Sequence, residues 1–164
     1  KLIGLTVIGT VSSEEKAAKA RAMGCDHIVF YRREDVPTRV KELTGGEGVQ
    51  TVFDSVGKDT FAGSLKSLRR RGVLVGCGTA SGPFPPIDAM QMVMQGSVYF
   101  TRPAFADYYA DPAERAELAK FWFDHLAAGR ITVDIGQRYK LDQCVEAHRD
   151  LEAGKTIGAS VFLP

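Results

Sequence analysis

Short apolar runs rich in β-branched residues alternate along the chain with segments whose apolar positions recur every three or four residues. Leu5, Val7, Ile8 and Val11 form the first run and predict a buried strand. Ser12 and Ser13 interrupt it. Ser12 with Glu15 three residues later fits a capping box, opening a helix that Gly24 would close. His27 to Phe30 predicts a second strand. Asp35 to Thr44 follows as a short amphipathic helix with Val36, Val40 and Leu43 on one stripe and Pro37 in its first turn. Beyond the Gly45–Gly48 turn, Val49 to Val56 is the third strand. Phe61, Leu65 and Leu68 mark a helix that ends at Arg69–Arg70–Arg71, and Val73 to Cys77 is the fourth strand.

The Gly- and Pro-rich stretch Gly78 to Pro86 predicts a loop at that strand's carboxyl end. A short helix over Asp88–Gln95 carries Met90, Met92 and Met94, expected as core filler, and Ser97 to Thr101 is a fifth strand. Asp111–Pro112–Ala113–Glu114 starts a helix whose apolar stripe is Leu118, Phe121, Trp122 and Leu126. Asp142 is expected to cap a last helix ending at Gly154, and Ala159 to Leu163 closes as a strand.

Strands alternating with helices predict an α/β fold with a doubly wound, mostly parallel sheet. Right-handed crossovers then place the polar strand ends along one edge: Ser12/Ser13, Tyr31, Ser55, Cys77/Gly78 and Phe100/Thr101. Ligands of such sheets bind at that edge. A fold that selects NAD sets an acid at the end of its second strand for the ribose 2′-OH. Here two hydroxyls, the amides of a helix N-terminus and Lys16 occupy the place, which suits a 2′-phosphate. The same residues would serve equally as a helix cap and a solvated lysine. The G-x-G-x-x-G signature is absent. Lys1–Leu2–Ile3–Gly4 resembles the last turn of a helix with its glycine stop, so the chain is expected to be a fragment that begins inside an element.

Charge and composition narrow the picture further. A net charge of +1 with interspersed signs leaves no footprint for bulk nucleic-acid binding. No apolar run reaches membrane-spanning length. Cys25, Cys77 and Cys144 are too scattered for a disulfide framework or a zinc site, which points to the cytoplasm and to no metal. His27, His125 and His148 sit within predicted elements without a partnered nucleophile. Asp54, at a strand end, would serve as an acid or a metal ligand, and Ser55 as a hydrogen-bonding group for a ribose or nicotinamide amide. The arginine triplet is expected to be a solvated turn.

The segments GTVSSEEKAAKARAMG, Tyr31–Asp35, VFDSVG, RRRGVLVGCG, GSVYFTRP and GASVFLP together resemble the quinone oxidoreductase (zeta-crystallin-like) branch of the medium-chain dehydrogenase/reductase superfamily. The likeness spans nearly the whole chain. It implies a Rossmann-like NADPH-binding domain over residues 1–135, and a segment, 136–164, whose helix and strand return to the catalytic domain. The catalytic domain, first strand and glycine loop would be missing, so two strands should flank a gap. The implied activity is zinc-free reduction of quinones or other electrophilic alkenes and carbonyls.

The resemblance also implies that Ser12, Ser13, Lys16 and Tyr31 surround the adenosine 2′-phosphate. Ser55 and Val56 would lie along the cofactor, and Cys77, Gly78, Phe100 and Thr101 would border the nicotinamide end. Where the family has a basic residue near the last helix's end, this chain has Gly154 followed by Lys155. Pairing through strand 96–102 would give a homodimer. The fragment alone is expected to bind NADPH poorly and to turn over no quinone. A non-catalytic, crystallin-like binding or structural role is the alternative, with nucleic-acid binding as its variant.

Overall fold

The computed structural model describes all 164 residues and divides into two compact units, Lys1–Asp111 and Pro112–Pro164. In the first unit, β1 (Ile8–Val11), α1 (Glu14–Ala22), β2 (His27–Phe30) and α2 (Val36–Leu43) are followed by β3 (Val49–Asp54), α3 (Phe61–Ser67), β4 (Leu68–Gly76), α4 (Ala89–Met94), β5 (Tyr99–Thr101) and α5 (Phe105–Tyr108). All ladders are parallel. One sheet pairs β1 with β2; a second has the order β3-β4-β5. No ladder joins β1 to β3, so the doubly wound sheet is in two pieces. Lys41 of α2 reaches the start of the second sheet, where its Nζ donates to the Glu47 and Leu68 carbonyls at 2.6 and 3.2 Å.

The core lies under the three-stranded sheet. Phe61, Leu65, Leu68, Leu74 and Val98 are buried together, with Phe84 and Phe100 packed on them. Phe61, Phe84 and Phe100 meet edge to face, with ring centroids 5.3–6.0 Å apart. Gly76 makes room for this cluster, because a Cβ there would stand 2.8 Å from the Phe84 ring.

Several local expectations need correction. The N-cap of α1 is Ser13 rather than Ser12: its backbone is extended and its Oγ accepts from the Lys16 amide at 3.3 Å. Lys1–Gly4 forms a turn in which the Gly4 amide donates to the Lys1 carbonyl at 2.9 Å and Gly4 takes φ +78°, as a glycine stop does. The arginine triplet is not a turn between helix and strand. It belongs to β4, where Val49 pairs Leu68 but Thr51 pairs Val73, so the extra residues loop out with Arg71 at φ +58°. Of the α4 methionines only Met92 packs on the core; Met90 and Met94 are exposed. A six-residue helix has too little surface to bury three of them.

The second unit contains α6 (Pro112–Ala127), β6 (Ile135–Lys140), a 3₁₀ turn (Leu141–Gln143), α7 (Cys144–Glu152) and β7 (Ala159–Leu163), with β6 and β7 parallel. β6 escapes a reading by pattern because Ile135–Lys140 is mostly polar, with only Tyr139 buried. Asp142 lies within the 3₁₀ turn; Gln143 precedes α7 instead, and its Oε1 accepts from the Lys140 amide at 2.8 Å. The apolar residues Leu118, Phe121 and Trp122 of α6 are exposed, as is Phe123.

Candidate functional site

Parallel pairing in register brings the strand ends into line. Val11 pairs Phe30, Asp54 pairs Gly76 and Val75 pairs Thr101, so the residues after them share the carboxyl edges of the two sheets. The predicted site residues accordingly form two groups.

The first group is Ser12, Ser13, Lys16 and Tyr31. The Tyr31 amide donates to the Val11 carbonyl at 3.2 Å, which continues the β1–β2 ladder and sets Tyr31 beside the turn that carries Ser12 and Ser13. The Tyr31 side chain is 52% exposed. Two acids flank this turn, and both are engaged by arginines. Glu14 pairs with Arg33, whose guanidinium lies 3.8 Å over the Phe30 ring, and Glu34 takes the Phe30 amide while pairing with Arg39 at 3.5 Å. Sequence reasoning missed these arginine partners, because the pairs depend on how α1, the turn after β2 and α2 come together in the fold.

The second group is Ser55, Val56, Cys77, Gly78, Phe100 and Thr101. The Cys77 and Gly78 amides donate to the Asp54 carbonyl at 2.8 and 3.3 Å, and the Ser81 amide donates to the Val56 carbonyl at 2.8 Å. The loop after β4 therefore lies directly across the turn after β3. Only glycine fits at Gly78, where a Cβ would overlap the Ser55 carbonyl oxygen and stand 2.9 Å from its Cα. Cys77 and Thr101 are exposed, whereas the Phe100 ring belongs to the aromatic cluster. Arg102 secures the edge by donating from Nη1 to the Gly76 carbonyl at 2.6 Å.

Asp54 is the hub of this second group, and neither of its expected roles fits. It is 4% exposed, and its carboxylate accepts from four donors: the amides of Val56 (2.9 Å) and Gly57 (3.0 Å) and the hydroxyls of Thr60 (2.8 Å) and Ser64 (2.7 Å). Burial pushes the carboxyl up, but the Ser64, Gly57, Thr60 and Val56 hydrogen bonds outweigh it and hold Asp54 below the ordinary carboxylate range. An ionised, fully partnered carboxylate is a structural acceptor, not a proton donor. No three His, Cys, Asp or Glu side chains gather anywhere as a potential metal site. Lys155, the basic residue nearest the end of the last helix, pairs with Asp150 at 3.2 Å.

A concavity lies at the opposite, amino edge. It has a volume of about 810 Å³ and is lined by Lys41, Gln50, Arg69, Arg70, Arg71 and Tyr99 among others. Its cations are partly committed, with Lys41 on backbone carbonyls and the Arg69 Nε on Gln50 Oε1 at 2.6 Å.

A family profile described as zinc-binding dehydrogenase matches residues 1–120. The chain belongs to that family. It is 42% identical over 166 residues to a quinone oxidoreductase of Salmonella typhimurium, covering all of this chain and 51% of that protein. It is 42% identical over 163 residues to a 2-haloacrylate reductase of Burkholderia sp, covering 99% of this chain and 49% of that one. Among solved structures it matches the Escherichia coli quinone oxidoreductase complexed with NADPH, with TM-score 0.95 and 38% identity over 99% of this chain and 51% of the other. The chain thus spans about half the length of the curated relatives it matches. The likeness to the quinone oxidoreductase branch holds over its whole length, and with it the Rossmann-like fold class.

Proposed function

We propose that this zinc-binding dehydrogenase family chain is the nucleotide-binding portion of a cytoplasmic, NADPH-dependent oxidoreductase that reduces a quinone or another electrophilic alkene or carbonyl. Residues 1–135 form its cofactor domain and 136–164 return to the catalytic domain. The observation that carries this reading is the pairing of β1 with β2. It sets Ser12, Ser13 and Tyr31 side by side next to the first turn of α1, with Lys16 one turn on and no carboxylate at the end of β1. Hydroxyls, a phenol, an ammonium and helix amides are the donor set that a 2′-phosphate requires. An acid at the strand end would instead take the bare ribose of NADH.

On this reading Ser55 and Val56 run along the cofactor, and Cys77, Gly78, Phe100 and Thr101 bound its nicotinamide end. Bound NADPH supplies a hydride for direct transfer; the chain supplies orientation and a shaped edge. Without a glycine-rich phosphate loop of its own, the chain by itself binds the cofactor weakly and is inactive. The relatives' names, quinone oxidoreductase and 2-haloacrylate reductase, support an electrophilic substrate. Strand β5 lies at the sheet edge with Tyr99 61% exposed, which favours pairing of residues 96–102 in a homodimer.

The test uses the chain joined to a catalytic half like that of its relatives. Lys16→Ala and Tyr31→Ala should raise the Kd for NADPH far more than that for NADH; equal losses would reject the phosphate pocket. NADPH oxidation by a simple quinone should be measurable in the same protein. Tight cofactor binding without turnover would favour the non-catalytic alternative.

A further inference from the structure

We propose that Arg33 is a specificity-determining positioning residue: by pairing with Glu14 it masks the acid that directly follows Ser13 and latches the Tyr31 turn to the start of α1. The inference rests on the phosphate-pocket reading and extends it to a residue outside the phosphate-binding set.

Glu14 directly follows Ser13 and, with Glu15, puts two carboxylates in the first turn of α1. Those acids favour the helix dipole. They also oppose any phosphate brought to the same turn, since like charges at close range repel even across solvent. Arg33 answers the nearer of the two. Its Nη2 donates to Glu14 Oε1, and its guanidinium is seated 3.8 Å over the Phe30 ring. Its own amide donates to the Phe30 carbonyl at 3.0 Å, so the residue is fixed at backbone and side chain alike. Both partners are more than half exposed. The pair therefore adds little to fold stability, while its charge remains open to a bound anion. The acid on the β2 side of the site, Glu34, is held by the Phe30 amide and by Arg39. Two arginines thus offset Glu14 and Glu34, on either side of the hydroxyls that an incoming phosphate meets, while Glu15 lies outside both pairs.

Replacing Arg33 by glutamine removes one positive charge and so leaves the Glu14 carboxylate without its counter-charge. At solvent-like dielectric and a separation on the order of 8 Å from a doubly charged phosphate, this weakens binding roughly sixfold without salt. At 0.15 M ionic strength, where the Debye length is itself about 8 Å, screening reduces the loss to about twofold. A ligand without the 2′-phosphate feels almost none of it.

The experiment titrates 2′,5′-ADP and 5′-ADP into the chain, following amide shifts, for the parent, Arg33→Gln, Glu14→Gln/Arg33→Gln and Lys16→Ala. Melting temperatures confirm that each variant folds. The expected result is a loss for 2′,5′-ADP in Arg33→Gln that is roughly sixfold at low salt and about twofold at 0.15 M, little change for 5′-ADP, and recovery in the double variant. Equal losses for both ligands would reduce Arg33 to a structural latch and overturn the proposal. Selective loss in Lys16→Ala but none in Arg33→Gln would overturn it while leaving the pocket intact. Absence of any preference for 2′,5′-ADP in the parent would sink the pocket and this inference together.

Discussion

Replacing Asp54 with alanine tests whether the carboxyl edge is built around that carboxylate. The substitution leaves the Val56 and Gly57 amides without their acceptor, at about 1–3 kcal/mol each when buried. Thr60 keeps a partner, because its hydroxyl also lies 3.3 Å from the Gly57 carbonyl; the Ser64 hydroxyl, 2.7 Å from Asp54, loses its acceptor. Water entering the vacated space offsets part of the loss, so the net destabilisation should be about 3–5 kcal/mol. The substitution Asp54→Asn keeps one oxygen for the two amides and should cost about 1–2 kcal/mol. Urea unfolding followed by circular dichroism at pH 7 reads both values.

The pH dependence adds a second check. Asp54 is held below the ordinary carboxylate range, so its contribution is complete above about pH 4 and is lost as pH falls through its lowered value. The gap between the parent and the alanine variant should therefore narrow in acid without closing, because the neutral carboxyl, like asparagine, keeps one oxygen for the two amides. A variant within about 0.5 kcal/mol of the parent at pH 7, or a gap that stays unchanged as pH falls well below the ordinary carboxylate range, would show that the edge is not built on this carboxylate.

Three further outcomes follow from the packing. Gly78→Ala forces the loop after β4 off the Ser55 backbone and should cost about 2–3 kcal/mol, displacing the Ser55 turn; unchanged melting and unchanged amide shifts at Ser55 and Val56 would contradict the close approach. Leu74→Ala empties a fully buried core position and should cost about 3 kcal/mol by denaturant unfolding, and a loss below about 1 kcal/mol would mean that the core is elsewhere. Sedimentation of the chain should show dimers that Tyr99→Pro, which deletes an edge-strand N–H, converts to monomers; an effect of Tyr99→Pro on melting but none on mass would point away from β5 pairing.

The elements easiest to read in the sequence are those where several signals coincide. β1 to α1, β3 and the start of α6 each combine an apolar run with a cap, a proline or a glycine stop, and each is found within a few residues of its expected place. The misses have physical causes. β6 is mostly polar because one parallel neighbour and one buried residue, Tyr139, are enough to hold it. The arginine triplet keeps strand pairing at both ends while looping out between, which alternation cannot reveal. Asp54 is legible as a strand end but not as a hub, since its donors at Thr60 and Ser64 approach only after α3 packs back on the sheet. The strand-end hydroxyls are readable from position alone. The Arg33–Glu14 and Glu34–Arg39 pairs around them depend on the fold.

Amide-shift mapping of the chain at millimolar NADPH decides which edge of the sheets receives the nucleotide. The carboxyl edge predicts shifts at Ser12, Ser13, Lys16 and Tyr31 that weaken when NADH replaces NADPH. Shifts confined to Gln50, Arg69, Arg70, Arg71 and Tyr99, in the basic concavity at the amino edge, would contradict it.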